Sequence, residues 1–592
     1  MCYGTKKAEF VRGGMRRAAD GTDIRSDAQI CVRDATGHEE CLPLGPGRTL
    51  AEVIYVSGRF PSPALCAGLG LCGVCRIRFL SVAPESTSVE ARVLSVDALA
   101  DGWRLGCRHL AQPGSVVELP LSISATCPPA QAIAPFGGLG WLEMAVDLGT
   151  TTIEWDAMDC GCVVASGREL NPQLGAGVEV MSRLAYAGTP EGAIRLQRLV
   201  VDRLAALATG LAGTDGGIIR ACVTGNSVML ALLCGRTIKS LAGLARAPYH
   251  LDWQGGIEVS LGPSLPVVYI PPLIAPFVGA DLSAGLAALL WSGEVGSGEI
   301  IKGPPSFPFV LADLGTNGEF LLALSPQRVL AASVPMGPAL EGIGFSMGTV
   351  AGPRAVVGFD LGAMGLVPII LSTEACGLSG FAGETIPLIG RALVLGLTGT
   401  AYLSLAATLL RLGLLGRDGR FIPFGTTLVS PFLTRLAAFV SVGAGGEPCF
   451  VLPNLSVIGR VDTITEKQVV FSASDVESLL KVKAVFNLAL SCLTRRAGLT
   501  IGDLAAVYLA GALGSHVVVA DLETLGFLPV GLGVRVRKIG NTSLAGARLL
   551  LRQPELRPHI EALAGGVELV DLCGMNCFAQ LYFSKMVFEY VP

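Results

Sequence analysis

The chain has 592 residues, of which 51% are hydrophobic and 16% charged, with a net charge of −4 and a sequence pI near 5.9. This composition excludes a mainly disordered chain and supplies several cores, and without a basic excess there is no footing for a nucleic-acid partner. Glycine is abundant, at 76 residues, but follows no G-X-Y period, so a collagen-like rod is excluded too.

Residues 1–26 read as a mobile basic leader, with Lys6, Lys7, Arg12, Arg16 and Arg17 but no apolar core or cleavage site. Together with 17 scattered cysteines this predicts a cytoplasmic protein with reduced thiols, in which clustered cysteines bind metal rather than pair. Residues 27–122 predict a small mixed β domain: a strand at AQICVRD, a turn at Ala35–Gly37, a strand at EECLPL, a short helix at TLAEVIYVSG, a Cys-rich loop, a strand at CRIRFLSV and a closing strand at SVVELPLS. The Pro/Gly/Ala-rich stretch 123–140 reads as a linker. A first lobe over 141–300 opens with strand, turn and strand in WLEMAVDLGTTTIEWDAMD, followed by helices at VEVMSRLAYA and IRLQRLVVDRLAALATGL and a strand at GIIRACVTGN. A second lobe over 301–592 repeats that opening as FPFVLADLGTNGEFLLAL, 166 residues later. The mean hydropathy of +0.57 raises the question of a membrane. Ala392–Leu410 is uncharged and near spanning length, but its Gly396, Thr398, Gly399 and Thr400 read as a turn entering a buried helix, and no membrane association is expected.

The first chemical constellation is Cys66, Cys72, Cys75 and Cys107, spaced C-x5-C-x2-C, then 31 residues, then the fourth Cys. Three thiolates on one loop can grip two irons from one side while a distant fourth closes the site, and tetrathiolate ligation fits a [2Fe-2S] cluster. Gly68, Gly70 and Gly73 let the loop wrap closely. Zinc, or chance in a Cys-rich chain, is the competing reading; zinc more naturally uses two separated Cys-x2–4-Cys knuckles. A G-x-G-x-x-G match at 68–73 lies inside this loop without the Rossmann context and is set aside. Cys160/Cys162 and Cys573/Cys577 each lack a second pair.

The second constellation is Asp147-Leu-Gly149-Thr150-Thr151-Thr152 with its partner Asp313-Leu-Gly315-Thr316-Asn317-Gly318-Glu319. Glycine allows close approach to phosphate, backbone N–H groups and Thr hydroxyls donate to its oxygens, and an Asp at the strand end can hold Mg²⁺ directly or through water. No Walker A motif exists in the chain, so a nucleotide site must use another scheme. Ordinary hairpin turns are the alternative.

The cysteine segment resembles [2Fe-2S] ferredoxins of adrenodoxin-like spacing, which implies a β-grasp fold and one-electron transfer. The paired turns resemble the acetate and sugar kinase/Hsp70/actin superfamily, an RNase H-like two-lobed ATPase fold. In that fold two such turns hold ATP phosphates across a cleft, and a third Gly-rich turn, here Val507–Gly514 with Gly511 and Gly514, contacts adenosine. The expected fold class is therefore a multidomain α+β and α/β chain. The combination resembles the reductive activators of corrinoid-dependent proteins. The likeness runs through Asn171-Pro-Gln173, Val180–Arg183, Thr224-Gly-Asn226, Ala247-Pro-Tyr249, Phe277–Asp281, Gly337–Gly342, Tyr508–Gly511, Gly540-Asn541 and Gly546-Ala547.

There are departures. Glu179 stands where Asp is expected, Ser227-Val228 where Thr-Thr is usual, and Gly396-Leu-Thr-Gly399-Thr replaces a Gly-Ser-Gly turn. The resemblance implies ATP-dependent return of an inactive Co(II) corrinoid protein to Co(I), with a [2Fe-2S] cluster and MgATP as cofactors, Asn226 in the nucleotide site and a homodimer compatible with the family. Asp147, Asp313, Glu319 and Glu341 are the candidate catalytic carboxylates; Glu319 and Glu341 are candidates for the base, and equally for structural or Mg²⁺-network roles. The upstream electron donor is not indicated. The alternatives are an activator of radical dehydratases or reductases, and a ferredoxin-type electron carrier with a degenerate nucleotide-sensing module.

Overall fold

Alternating apolar residues and Gly-marked turns build the N-terminal unit. In the computed structural model, residues 29–34, 36–44, 47–60, 70, 73–120, 141–212, 216–238, 241, 253–292, 304–363, 365–371, 383–385, 392–443, 446–457, 467–572, 574–575 and 577–592 are described. The leader, the linker, and Cys66, Cys72 and Cys573 lie outside them. Strands β1 (Gln29–Arg33) and β2 (Glu39–Pro43) form a hairpin. Helix α1 (Leu50–Tyr55) follows, opened by Thr49 and Glu52 in a capping box. Then come β3 (Arg76–Phe79), α2 (Glu90–Val93), α3 (Val96–Ala100), β4 (Trp103–Leu105) and β5 (Val116–Glu118). The sheet order is β2-β1-β5-β3-β4, with β1 and β5 parallel and the other pairs antiparallel. A mixed five-stranded sheet crossed by one helix is the β-grasp arrangement expected.

One expectation fails in this unit. Cys31 and Cys41 form a disulfide rather than standing as reduced thiols. The hairpin register sets them directly opposite, with Cα atoms 4.2 Å apart. Cys31 N–H donates away from the hairpin to Ser115 O, so the two occupy a non-hydrogen-bonded pair, where side chains stand closest.

The first lobe comprises β6 (Trp141–Leu148), β7 (Thr152–Asp159), β8 (Cys162–Leu170), a 3-10 turn (Pro172–Ala176), α4 (Val180–Tyr186), α5 (Pro190–Ala212), β9 (Gly217–Gly225), α6 (Ser227–Leu233), β10 (Ile257–Val259), β11 (Val268–Ile270) and α7 (Ala280–Ala287). Its sheet runs β10-β11-β9-β6-β7-β8. The second lobe opens with β12 (Phe309–Leu314), β13 (Asn317–Ser325) and β14 (Arg328–Pro335). An insertion follows, containing β15 (Ala355–Gly362), β16 (Gly365–Leu371), β17 (Gly383–Thr385), β18 (Ala392–Val394), β19 (Gly396–Leu397), α8 (Gly399–Arg411), α9 (Pro431–Ala437), β20 (Val440–Val442), β21 (Pro448–Val457) and β22 (Lys467–Ser472). The lobe resumes with α10 (Ala473–Arg496), β23 (Ala506–Ala510), α11 (Gly511–His516), α12 (Val519–Thr524), β24 (Val536–Gly540), α13 (Thr542–Arg552), α14 (Arg557–Gly565), β25 (Glu568–Leu569) and α15 (Phe578–Ser584).

The second lobe's main sheet runs β24-β23-β12-β13-β14-β25. Setting β6 on β12, β7 on β13, β8 on β14, β9 on β23 and β11 on β24 superposes the strand orders of the two lobes. Pair directions agree as well: β6/β9, β9/β11, β12/β23 and β23/β24 are parallel, and the opening meanders are antiparallel. The helices that follow β11 and β24 therefore correspond, and α7 packs on α13. A Cβ on Gly546 would collide with Ala284 O, and one on Gly285 would reach Thr542 Oγ1 at 2.7 Å. Each crossing helix thus carries a glycine where the other backbone passes.

The uncharged stretch at 392–410 is short strand and buried helix, as expected. Thr398 caps α8 by accepting from Ala401 N at 3.3 Å. Among the described residues no helix is long and apolar enough to cross a membrane.

Candidate functional site

The two Asp-Leu-Gly-Thr turns occupy corresponding places in the two lobes, each between the first two strands. Hairpin register then sets Glu154 opposite Asp147 and Glu319 opposite Asp313. Each turn therefore carries an Asp/Glu pair, of which sequence reasoning singled out three members and missed Glu154. Overlaying the two turns as hairpins rather than as motifs would have found it.

The crossing helices bring in the remaining groups. Asn541 caps α13 through Oδ1, which accepts from Leu544 N at 2.8 Å. Its Nδ2 donates to Asp147 Oδ2 and Glu154 Oε2, both at 2.8 Å. Ser543 Oγ donates to Asp147 Oδ1 at 2.9 Å and lies 2.7 Å from Thr224 Oγ1. From the other lobe, Asp281 in the first turn of α7 shares a hydrogen bond with Glu319, which also accepts from Gly279 N–H. The second lobe's helix thus serves the first lobe's turn, and the first lobe's helix serves the second lobe's.

The electrostatics follow from this convergence of acids. Burial, then Glu154, then Asp313 push Asp147 up to about 7, against hydrogen bonds from Asn541 and Ser543. Burial, then Asp281 and Glu154 push Asp313 up to about 7. Burial, then Asp147 bring Asp281 to about 7, and Glu319 is raised by burial, Asp281 and Asp313. Asp313 adds to the upward push on Asp147, and Glu154 to that on Asp313, so the acids of the two turns act on one another. Glu319 Oε2 is buried without a hydrogen-bond partner, as are Thr151 Oγ1 on the first turn and Thr542 Oγ1 on α13. Among the described residues no three acidic, Cys or His groups stand close enough to hold a metal by themselves. Phosphate-bound Mg²⁺ needs no such cage, because one or two carboxylates, waters and the phosphates complete its shell. Converging acids, together with a turn hydroxyl lacking a partner, fit a cation–phosphate ligand.

The turn backbones are held from behind. Asn171 Nδ2 donates to Gly149 O at 2.8 Å, Asn226 Nδ2 donates to Thr150 Oγ1 at 2.9 Å, and Asn226 Oδ1 caps α6 at Met229 N. Arg183, fully buried, donates to Thr150 O, to Gly177 O at 3.1 Å and to Gln173 Oε1 at 3.1 Å. Burial brings Arg183 down to about 9 against the pull of Glu341. A Cβ on Gly149 would lie 2.7 Å from Thr152 O, so the tight first turn requires glycine there. On the second turn, Gly315 N–H donates to Asn317 O at 3.2 Å, and a Cβ on Gly318 would strike Met336 Sδ. Thr316 Oγ1 donates to Glu341 Oε1 at 2.6 Å, so Glu341 lies against the second turn. Gly511 (φ 79°) begins α11 beside that turn, where a Cβ would reach Asp313 Oδ1 at 2.6 Å, and Gly514 packs on Leu509.

Cys75 and Cys107 lie at one end of the β3/β4 pair: Arg76 is paired with Leu105, and Gly106 N–H donates to Cys75 O at 2.8 Å. Cys75 is buried and Cys107 half-buried. Gly70 and Gly73 both have positive φ, and a Cβ on Gly70 would press on Val89 Cγ1 at 2.6 Å. The Cys107 segment is braced by the buried Glu90, whose Oε1 accepts from Leu105 N at 2.7 Å and lies 2.8 Å from His109 Nε2. Burial works to raise Glu90, but hydrogen bonds from Thr87, Leu105 and His109 prevail and hold it below the usual range. Two thiols at one end of the sheet, beside two glycines of positive φ, fit half of a tetrathiolate site. Cys160 and Cys162 are exposed at the β7–β8 turn, and Cys577 is exposed.

Residues 35–112 match the model of the 2Fe-2S iron-sulfur cluster binding domain, and 142–291 match the RACo middle region. Residues 308–439 and 451–591 match the C-terminal domain of RACo, the ASKHA domain. The corrinoid activation enzyme RamQ of Eubacterium limosum is 27% identical over 460 residues, covering 75% of this chain and 70% of its own length. The [Co(II) methylated amine-specific corrinoid protein] reductase of Methanosarcina barkeri is 29% identical over 300 residues, covering 50% of this chain and 46% of that protein. The solved structure of a reductive activator for a corrinoid, iron-sulfur protein aligns over 95% of this chain and 98% of its own, with TM-score 0.59 and 19% identity. With a ferredoxin segment, a middle region and an ASKHA segment succeeding one another, the chain belongs to the family of reductive activators of corrinoid-dependent proteins.

Proposed function

We propose that the protein is an ATP-dependent reductive activator that returns a Co(II) corrinoid protein to Co(I). The observation that supports the reading is a [2Fe-2S]-type domain packed on a lobe whose Asp-Leu-Gly-Thr turn shares a set of interacting acids with a second such turn. Cys66, Cys72, Cys75 and Cys107 are the cluster ligands in this reading, and a bound cluster supplies one electron. Thr150 and Thr151 with the backbone of Gly149 would receive phosphate oxygens from one side, and Thr316 with Gly315 from the other once phosphate draws their donors from Glu341 and Asn317 O. Asp147 and Asp313 orient a hydrated Mg²⁺. Asp281 and Glu319 hold a proton between them at the cleft floor, where one of them can accept a proton from water.

Hydrolysis then relies on positioning and charge rather than covalent chemistry. The energy available for an uphill electron is bounded by how differently the two lobe arrangements bind nucleotide and partner. The test mixes dithionite-reduced protein, MgATP and a Co(II) corrinoid protein and follows the Co(I) absorbance. Co(I) should form only with all components present, and formation that ignores ATP would remove the coupling from the reading.

A further inference from the structure

The ferredoxin unit and the first phosphate turn are joined by a short, continuous set of contacts, and helix α1 lies between them. On its cluster side, a Cβ on Gly106, the neighbour of Cys107, would come within 3.2 Å of Ala51 N, and Leu50 N–H donates to His109 O at 2.9 Å. On its other side α1 rests on the 3-10 turn Pro172–Ala176, where a Cβ on Gly175 would lie 2.6 Å from Tyr55 C and 2.8 Å from Val56 N. Arg195 of α5 clamps the end of α1, donating from Nε to Val56 O at 2.8 Å and from Nη2 to Ser57 O. Arg48, just before α1, lies over the Tyr186 ring at 3.8 Å and donates to Tyr186 O at 3.3 Å.

The same two elements of the first lobe hold the phosphate turn. Asn171, which caps the 3-10 turn, donates to Gly149 O. Arg183, one helical turn before Tyr186 on α4, donates to Thr150 O. Gln173 ties the two together by accepting from Arg183 and donating to Leu196 O of α5 at 2.9 Å. The Gly149–Thr150 backbone is thus tied to α1 through the 3-10 turn and α4 by hydrogen bonds and close packing.

We propose that α1 is a coupling strut, through which nucleotide at the first phosphate turn and the redox state of the [2Fe-2S] centre influence one another. This rests on the function proposed above and deepens it by naming the residues that link the two centres. Linkage makes the effect reciprocal: whatever factor separates nucleotide affinity for the oxidised and one-electron-reduced protein must also appear as a shift of midpoint potential on nucleotide saturation.

The experiment measures affinity for a non-hydrolysable MgATP analogue in the full-length protein, oxidised and dithionite-reduced, with the midpoint potential taken with and without the analogue. Native protein should show at least a threefold affinity difference, equivalent to about 30 mV for a one-electron couple. Arg195→Ala and Gly175→Ala should retain iron and bind the analogue, with the redox difference reduced to near onefold. Iron content and circular dichroism report their folding, and Arg195→Ala decides the matter if Gly175→Ala misfolds. Equal affinity in both redox states of native protein, or a native-sized difference in Arg195→Ala, overturns the strut. Failure to bind nucleotide in either state instead overturns the ATP-dependent function, and the strut with it.

Discussion

Replacing Asp313 by Asn should stabilise the protein in the absence of divalent cations while removing its response to Mg²⁺ and nucleotide. Asp313 stands at about 7 against a usual 3.8, chiefly through burial and then through Asp281 and Glu154. The folded state therefore keeps a proton that the unfolded chain has released between about pH 4 and pH 7, so stability falls as pH rises through that window. A shift of about 3 units at ~1.4 kcal/mol each sets an upper bound near 4 kcal/mol at pH 8. Asp313 is partly open to the cleft and shares its repulsion with Asp281, so water and relaxation of the neighbour bring the expected gain to about 1–2 kcal/mol. Asn keeps the acceptor that Leu314 N–H uses and cannot ionise. Thermal unfolding with chelator at pH 8 should place the variant's midpoint about 2–6 °C above native, with the two converging near pH 4.5. Adding MgATP should raise the native midpoint and leave the variant's unmoved. A variant no more stable than native at pH 8, or a difference that does not vary with pH, would refute the assignment of Asp313 to a repulsive acidic cluster.

Cys72→Ser and Cys107→Ser should each abolish iron retention after anaerobic reconstitution while leaving nucleotide affinity within a few-fold of native; a visible cluster spectrum at native intensity in either would remove that cysteine from the ligand set. Because Asp147, Asp281 and Asp313 each stand at about 7, binding of MgATP at pH 6.5 should release protons, and release should fade above pH 8; calorimetry in buffers of differing ionisation enthalpy reads this, and no buffer dependence at pH 6.5 would count against it. Arg183→Met leaves Thr150 O, Gly177 O and Gln173 Oε1 without their donor; denaturant unfolding should show a loss of about 2–4 kcal/mol, with nucleotide affinity reduced in step. Gly546→Val places side-chain atoms on the Ala284 carbonyl and should cost about 3 kcal/mol or more by denaturant unfolding; a near-native midpoint would mean the crossing is looser than drawn.

Much of the site was legible because its signals are local. The strands flanking both Asp-Leu-Gly-Thr turns are apolar runs broken at Gly149 and Gly315, and α5 follows an apolar helical period with Leu196, Leu199, Val200, Leu204 and Leu207 inward. Cys75 and Cys107 lie at one end of a strand pair. What escaped the sequence is what crosses the chain. Asn541 and Ser543 reach Asp147 from almost 400 residues away; Asn541 was visible as part of a family stretch, but not its reach to the first turn. Asp281 was visible as part of a family stretch, but its partnership with Glu319 depends on how α7 meets the second lobe. The Cys31–Cys41 pairing needed hairpin register, which composition cannot supply. The insertion between β14 and α10 carries two further sheets, in which consecutive hairpins are joined to β19 and β18 by pairings that skip along the chain.

The twofold resemblance of the lobes stops at their crossing helices, and that breaks the cleft's left–right balance. At corresponding positions on those helices stand Ser543, a neutral donor, and Asp281, an acid. One jaw meets its aspartate with an amide and a hydroxyl; the other meets its acids with a further carboxyl group. A scaffold built twice over has thereby acquired a heading. A polyanion escorted by a divalent ion has only one orientation in which its cation faces the more negative wall.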